Sequence, residues 1–268
     1  MFKIQLFFFK IIFFIFRAGY PFGIQVWAKK NDYENIYEKS ILKNYKNIDN
    51  YEKKFHRKLD NKWFNNLALT TQVVIKKSSI NFQHGKILYY ELQKYLEQND
   101  NNFVNILETG TARGFSSICM SRALNDKDTK GKITTIDILP NDKRIYWNSI
   151  SDLEGKKTRT ELLNQWSDML VNIDFIQGSS KKVLNNLNID RVNFAFLDGA
   201  HNSNTVNFEF NWVKKRQKKN DVIIFDDYNT KDFLGIVELV KKIEIEKIYK
   251  VEKIFSEENR GYAIAYKL

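Results

Sequence analysis

The chain has 268 residues, 43% hydrophobic and 15% aromatic with two prolines, which excludes a disordered polymer and allows one large α/β domain plus an appendage. Its single cysteine, Cys119, excludes an internal disulfide and fits a reducing compartment. The net charge of +11 is concentrated early: residues 1–62 hold 13 Lys and Arg against 6 Asp and Glu, so an acidic partner would be met by the N-terminal region.

Residues 1–16 are almost wholly apolar, interrupted by Lys3 and Lys10, with Arg17 next. Those three cations are seven apart, so on a helix each is displaced only ~20° from the last. They make one basic stripe against a wide Phe/Ile/Leu face. A helix of this length spans about 22 Å, short of the ~30 Å hydrocarbon core. The pattern predicts a helix lying in a membrane interface, over anionic headgroups, with residues 1–27 as the interfacial segment and Tyr20 and Trp27 at its boundary. Two rivals remain. A secretory signal peptide would share the basic start, but no small-x-small cleavage site follows. A spanning helix reaching Trp27 would have to bury Lys10 and Arg17.

Residues 28–82 read as a helical linker or cap, rich in Tyr, Phe and Trp. Charges of both signs lie among these aromatics, which favours packing over nucleic-acid binding. Residues 83–98 carry apolar positions at helical spacing (Leu88, Leu92, Tyr95, Leu96), predicting the helix before the first strand. His84 belongs to the turn that opens it.

Phe103 to Leu107 reads as a buried strand. It runs into Glu108-Thr109-Gly110-Thr111-Ala112-Arg113-Gly114, a glycine-bearing turn, and a helix over 116–124 follows. Cys119 sits in that helix's apolar pattern, as packing. A carboxylate at the strand end suits a cationic or hydroxyl-bearing ligand rather than a phosphate. The pattern Glu-x-Gly-x-x-x-Gly after a hydrophobic strand resembles the first motif of class I S-adenosylmethionine-dependent methyltransferases. The resemblance implies that Glu108, Thr109, Gly110, Gly114 and Ser116 hold the cofactor, its amino-acid part between the glycines.

Lys132 to Asp137 is the second strand, and Asp137 stands 23 residues after Gly114. An acid at this place in nucleotide-binding α/β folds accepts the two ribose hydroxyls. Residues 140–172 exceed a plain crossover and hold a helical pattern over 162–170. Ile173 to Gly178 is the third strand. By the resemblance, Ser179 after it contacts the adenine.

Two apolar runs follow. Val192 to Leu197 ends in Asp198-Gly199-Ala200-His201, and Val222 to Phe225 ends in Asp226-Asp227-Tyr228. If they are neighbouring parallel strands, three carboxylates converge beyond their carboxyl ends, where open α/β sheets bind ligands. Three like charges together need a cation or a proton, and Mg²⁺ suits the purpose. Together the two runs resemble the metal-dependent O-methyltransferases that act on sugars and macrolide-linked sugars. That resemblance runs from about His84 to Leu268 and implies Asp198, Asp226 and Asp227 as metal ligands, with Asp198 also beside the cofactor. Ser203 departs from the aromatic common there, and Glu209 from the usual Asp. His201 or Asp198 would take the proton from the acceptor hydroxyl.

Residues 248–255 and 262–266 read as a closing hairpin, and the resemblance implies that the fold ends there. The expected fold is α/β: a doubly wound, mostly parallel seven-stranded sheet with a C-terminal antiparallel hairpin, over residues 83–268, and an N-terminal helical extension. The expected activity is S-adenosylmethionine- and Mg²⁺-dependent O-methylation of a sugar or glycan hydroxyl, on the cytoplasmic face of a membrane. Another vicinal diol is the alternative acceptor, and a non-catalytic, membrane-tethered member of the fold is the alternative class. Homo-oligomers are compatible with either.

Overall fold

The computed structural model describes residues 22–268 apart from 200, 201, 230 and 259. The helix expected over 1–16 therefore lies outside the described residues.

Runs such as Phe194-Ala195-Phe196-Leu197, buried at every position, need cover on both faces, which a parallel sheet between helices provides. The seven strands of the sheet are β1 (Val104–Thr109), β2 (Gly131–Asp137), β3 (Ile173–Gln177), β4 (Phe194–Leu197), β5 (Val222–Tyr228), β6 (Tyr249–Glu257) and β7 (Arg260–Lys267). Their order is β3-β2-β1-β4-β5-β7-β6. The first five named in that order run parallel, and β7 pairs antiparallel with both β5 and β6. Strand order reverses at β1, which lies between β2 and β4, so the ligand crevice of the sheet opens beyond the ends of β1 and β4.

The α-helices are α1 (Lys30–Ile41), α2 (Lys46–Glu52), α3 (Asn61–Thr71), α4 (His84–Gln98), α5 (Phe115–Asp126), α6 (Arg159–Leu162), α7 (Ser167–Leu170), α8 (Ser180–Asn186), α9 (Ser203–Lys214) and α10 (Leu234–Glu246). The single helix expected over 162–170 is thus divided between α6 and α7, with a 3-10 turn at Asn164–Trp166.

The chain forms two compact units, one of 45–59, 83–141 and 165–268, and another whose described residues are 22–44, 60–82 and 142–164. The first holds the sheet. Cys119 is fully buried there, and burial raises its thiol well above its ordinary value, as packing requires. His84 is buried at the start of α4, edge-on to Phe115 and stacked with Phe196.

The second unit is tied by polar bonds. Asp60 caps α3, accepting from the amides of Lys62 and Trp63. Asp152 accepts from the backbone amides of Trp147 and Asn148 at 2.8 and 2.7 Å. The Asn148 amide exchanges two 3.1 Å bonds with the backbone of Ile75. Residues 22–27 join this unit: Gly23 donates to the Tyr146 carbonyl, Phe22 meets Trp147 edge-on and Val26 is buried, while Trp27 is exposed.

On the sheet side of α4, Glu91 is 1% exposed; it accepts from the Tyr51 hydroxyl and lies 3.4 Å from Lys94 Nζ. Burial outweighs Lys94 and raises its carboxyl to about 6. A folded-state value above the unfolded one of 4.5 means that the unfolded chain ionises first as pH rises. Wild type should therefore lose about 2 kcal/mol of unfolding free energy between about pH 4 and pH 7 relative to Glu91→Gln, measured by urea denaturation across that range.

Candidate active site

The turn after β1 is folded by three residues with positive φ: Gly110 (+91°), Ala112 (+46°) and Gly114 (+88°). Gly110 has two reasons to lack a side chain. A Cβ there would lie 2.1 Å from the carbonyl oxygen of Asp198, because β1 and β4 end against each other at this point. The Asp198 amide donates to the Thr109 carbonyl at 3.0 Å and the Gly110 amide to the Ile136 carbonyl at 2.9 Å. Ala112 in the left-handed region costs roughly 1 kcal/mol. Its amide donates to Asp137 Oδ2 at 2.7 Å, a charge-assisted bond that offsets the strain.

Asp137 thus orders the turn it faces. Its Oδ1 accepts from the Leu139 amide at 2.8 Å. Each carboxylate oxygen keeps a lone pair for a further donor. A cleft of about 340 Å³ opens beside it, lined among others by Thr109, Gly110, Asp137, Ile138, Ser179 and Thr205. Ile138 is 71% exposed and forms an apolar wall.

Glu108 is placed differently from the strand-end position expected of it. It lies within β1, wholly buried, and the hydroxyls that meet it belong to Ser116, Ser117 and Thr135. Burial raises its carboxyl, against the pull of those three donors. Ser116 is spent on Glu108, and neither residue lines the cleft. Four of the expected cofactor residues, Thr109, Gly110, Asp137 and Ser179, do line it. Gly114 instead starts α5.

Asp198, Asp226 and Asp227 each offer a carboxylate oxygen, all within 4.8 Å of one another. Adjacent residues of a regular strand point to opposite faces, so Asp226 and Asp227 could not converge without a break in the pleat. The break is a bulge. Phe225 pairs with Ala263 but Tyr228 with Gly261, three residues against two, and Asp227 has φ +51°. The Asp227 amide donates to Asp226 Oδ1 at 2.7 Å.

Burial first, then Asp226 and Asp227, push the Asp198 carboxyl well above the usual carboxylate range, with Arg260 pulling the other way. Arg260, the first residue of β7, lies with Nη2 3.2 Å from Asp226 Oδ2 and Nε 3.6 Å from Asp227 Oδ1. Burial works against its charge, yet the acids around it, Asp226 foremost, hold its guanidinium above the ordinary arginine value.

Several contributors were not anticipated. Arg260 reads in sequence only as part of a hairpin turn. The strand order that lays β7 beside β5 was the signal needed to find it. Glu209 of α9 is buried, its carboxyl raised by that burial, and accepts from Thr109 Oγ1 at 3.1 Å behind the cleft. His201, expected as a base, lies outside the described residues; Asn202 caps α9 by accepting from the Thr205 amide.

Residues 107–228 match the family model described as a methyltransferase domain. The sheet order and its flanking helices are those of the class I methyltransferase fold. No curated protein matches the sequence. Among solved structures, the chain is similar to the O-methyltransferase TomG from Streptomyces achromogenes, involved in tomaymycin synthesis and solved with SAM. The two share 18% identity over 83% of this chain and 96% of that one, with a TM-score of 0.54. It is also similar to cofactor-bound Rv0187 from MTB (17% identity, 84% and 98% covered, TM-score 0.56). An O-methyltransferase from Bacillus cereus in complex with SAH gives 18% identity, 84% and 98% covered, and a TM-score of 0.53. At these identities the likeness establishes the fold.

The close approach at Gly110 can be separated from its backbone angle. Gly23 has φ +90°, almost that of Gly110, but open space around it, and Ala112 already tolerates a positive φ. Gly23→Ala should cost about 1–2 kcal/mol, whereas Gly110→Ala, which drives a methyl into the Asp198 carbonyl, should cost about 2–5 kcal/mol. Chemical denaturation of the two variants checks the difference, and titration with S-adenosylmethionine should show binding lost only in the second.

Proposed function

We propose that the protein is an O-methyltransferase transferring the methyl group of S-adenosylmethionine to a hydroxyl of a sugar or glycan intermediate, with Mg²⁺ held by Asp198, Asp226 and Asp227. The observation that carries this reading is the convergence of three carboxylates beside the turn joining β1 to α5. A scaffold without activity gains nothing from three acids held at such cost. The SAM and SAH complexes of the TomG and Bacillus cereus O-methyltransferases support the cofactor and the O-methyl class.

Thr109, Gly110, Asp137 and Ser179 would hold the cofactor, Asp137 accepting from the ribose hydroxyls and Ile138 lying under the adenine. Methyl transfer is an in-line displacement, so the chief task of these residues is alignment. The acid cluster suits a hard divalent ion: its donors are all oxygen, and its repulsion is relieved by positive charge. When bound, such an ion would lower the pKa of a chelated hydroxyl and fix its direction. Asp198, at the same cluster, would accept that hydroxyl's proton, with His201 three residues further on as the other acceptor.

Calorimetric titration with S-adenosylmethionine, with and without Mg²⁺, tests the parts separately. Wild type should bind both, and Asp226→Asn/Asp227→Asn should keep the cofactor while methyl transfer falls by about 100-fold or more. No cofactor binding at all would end the reading; equal Mg²⁺ binding by the variant would end the metal assignment alone.

A peripheral position on the cytoplasmic face of a membrane belongs to the same proposal, carried by residues 1–27. No helix among the described residues is long and apolar enough to cross a membrane. Because Phe22, Gly23 and Val26 make contacts within their unit, the informative truncation removes only residues 1–21. Full-length protein should float with liposomes containing anionic lipid and the truncated protein should not. Equal flotation would reject the anchor.

A further inference from the structure

A cluster of three carboxylates within one ion's reach ordinarily waits for a metal. Here a side chain of the chain itself already sits on two of them. Arg260 is only 26% exposed, and its Nη2 and Nε lie 3.2 and 3.6 Å from oxygens of Asp226 and Asp227. Guanidinium suits this post, since its planar fork can serve two carboxylates and it cannot shed its charge. The bulge in β5 that turns both aspartates to one side is opposite the start of β7, so one backbone irregularity shapes the acid pair and delivers the arginine to it.

The arginine and a divalent ion cannot share these oxygens as they stand. An ion about 2.1 Å from Asp226 Oδ2 would lie no more than about 5 Å from the guanidinium nitrogen bonded to the same atom. Two cations that close repel, and the ion must win from Arg260 the oxygens and the negative charge that it already holds. Arg260 is tethered at the tip of the β6–β7 hairpin, and Glu257 is its partner across that ladder, so an acid lies nearby for a displaced arm.

We propose that Arg260 is the resident countercation of the acid cluster, and that a divalent ion enters only by displacing its guanidinium from Asp226 and Asp227. The proposal rests on the metal reading given under Proposed function. It adds that Arg260 sets the affinity: the cluster binds a cation more weakly than three bare carboxylates would, and it keeps its fold when no ion is there.

The test is Mn²⁺ binding to the full chain, followed by the electron paramagnetic resonance signal of the free ion, for wild type, Arg260→Gln and Asp226→Asn/Asp227→Asn. Arg260→Gln should bind Mn²⁺ about tenfold or more tightly than wild type, because the ion no longer competes with a fixed charge. Without metal it should melt below wild type, and Mn²⁺ should raise its melting temperature by more. The double aspartate variant should not bind. If Arg260→Gln binds no better than wild type while the aspartate variant loses binding, the metal site stands and the displacement is overturned. If none of the three binds, both readings fall and Arg260 is a permanent ion-pair partner.

Should Arg260→Gln not fold, wild type still decides. The Arg260 side-chain N–H resonance, assigned by its loss from Arg260→Lys, should gain the rapid solvent exchange of a freed guanidinium on saturation with Mg²⁺. An unchanged resonance with Mg²⁺ bound would overturn the proposal.

Discussion

The close approach of β1 and β4 at Gly110 and Asp198 is the constraint on which the rest of the site depends. Parallel strands whose order reverses between them leave a crevice at their carboxyl ends, and here the crevice is closed to the limit of backbone contact. That one contact fixes two things at once. It sets the turn that floors the cleft, through Gly110, and it seats Asp198 against the same turn, through its carbonyl. The acid cluster and the cleft are therefore positioned by backbone rather than by side-chain packing, and a flexible loop is not asked to hold either.

The strands and most of the helices were legible in the sequence because both faces of the sheet are covered. Continuous apolar runs at β4 and β5 and helical spacing in α4 are the direct imprint of that burial. Asp137 was legible because its place at a strand tip needs no knowledge of neighbours. Convergence of Asp226 and Asp227 with Asp198 was expected from the strand ends, but the means of it was not legible. Strand periodicity alone puts adjacent residues on opposite faces, and only the bulge against β7 overrides it. Nothing local in Asp226-Asp227-Tyr228 announces that bulge. It belongs to the pairing of two strands distant in sequence, and so does the arrival of Arg260.

Glu108 shows the opposite failure, a residue whose chemistry was read correctly and whose direction was not. A carboxylate does seek hydroxyl donors, but side chains of the protein meet that need before any ligand can. Ser116 and Ser117, in the first turn of α5, and Thr135, across the β1–β2 ladder, converge on it only once strand and helix are packed. In the sequence nothing marks these three hydroxyls as partners of Glu108. The first motif thus contains two kinds of residue: Thr109 and Gly110 open onto the cleft, and Glu108 and Ser116 brace it from beneath.

Two of the buried acidic centres of this domain also differ in how their charge is borne, and the difference bears on what each can do. Glu108 is met by neutral hydroxyls in a space with no exposure, where exchanging a partner would mean unpacking α5 from β1. In the cluster of Asp198, Asp226 and Asp227, the last two are met by one guanidinium on a side chain that is partly open to solvent and anchored at a hairpin tip. Burying charge is costly in both places, but only the second solution is reversible without unfolding. A cation held by a tethered arm can be traded for another. Under the proposed function, the site admits an ion and an acceptor hydroxyl and stays folded between turnovers, which needs the second kind of neutralisation and not the first.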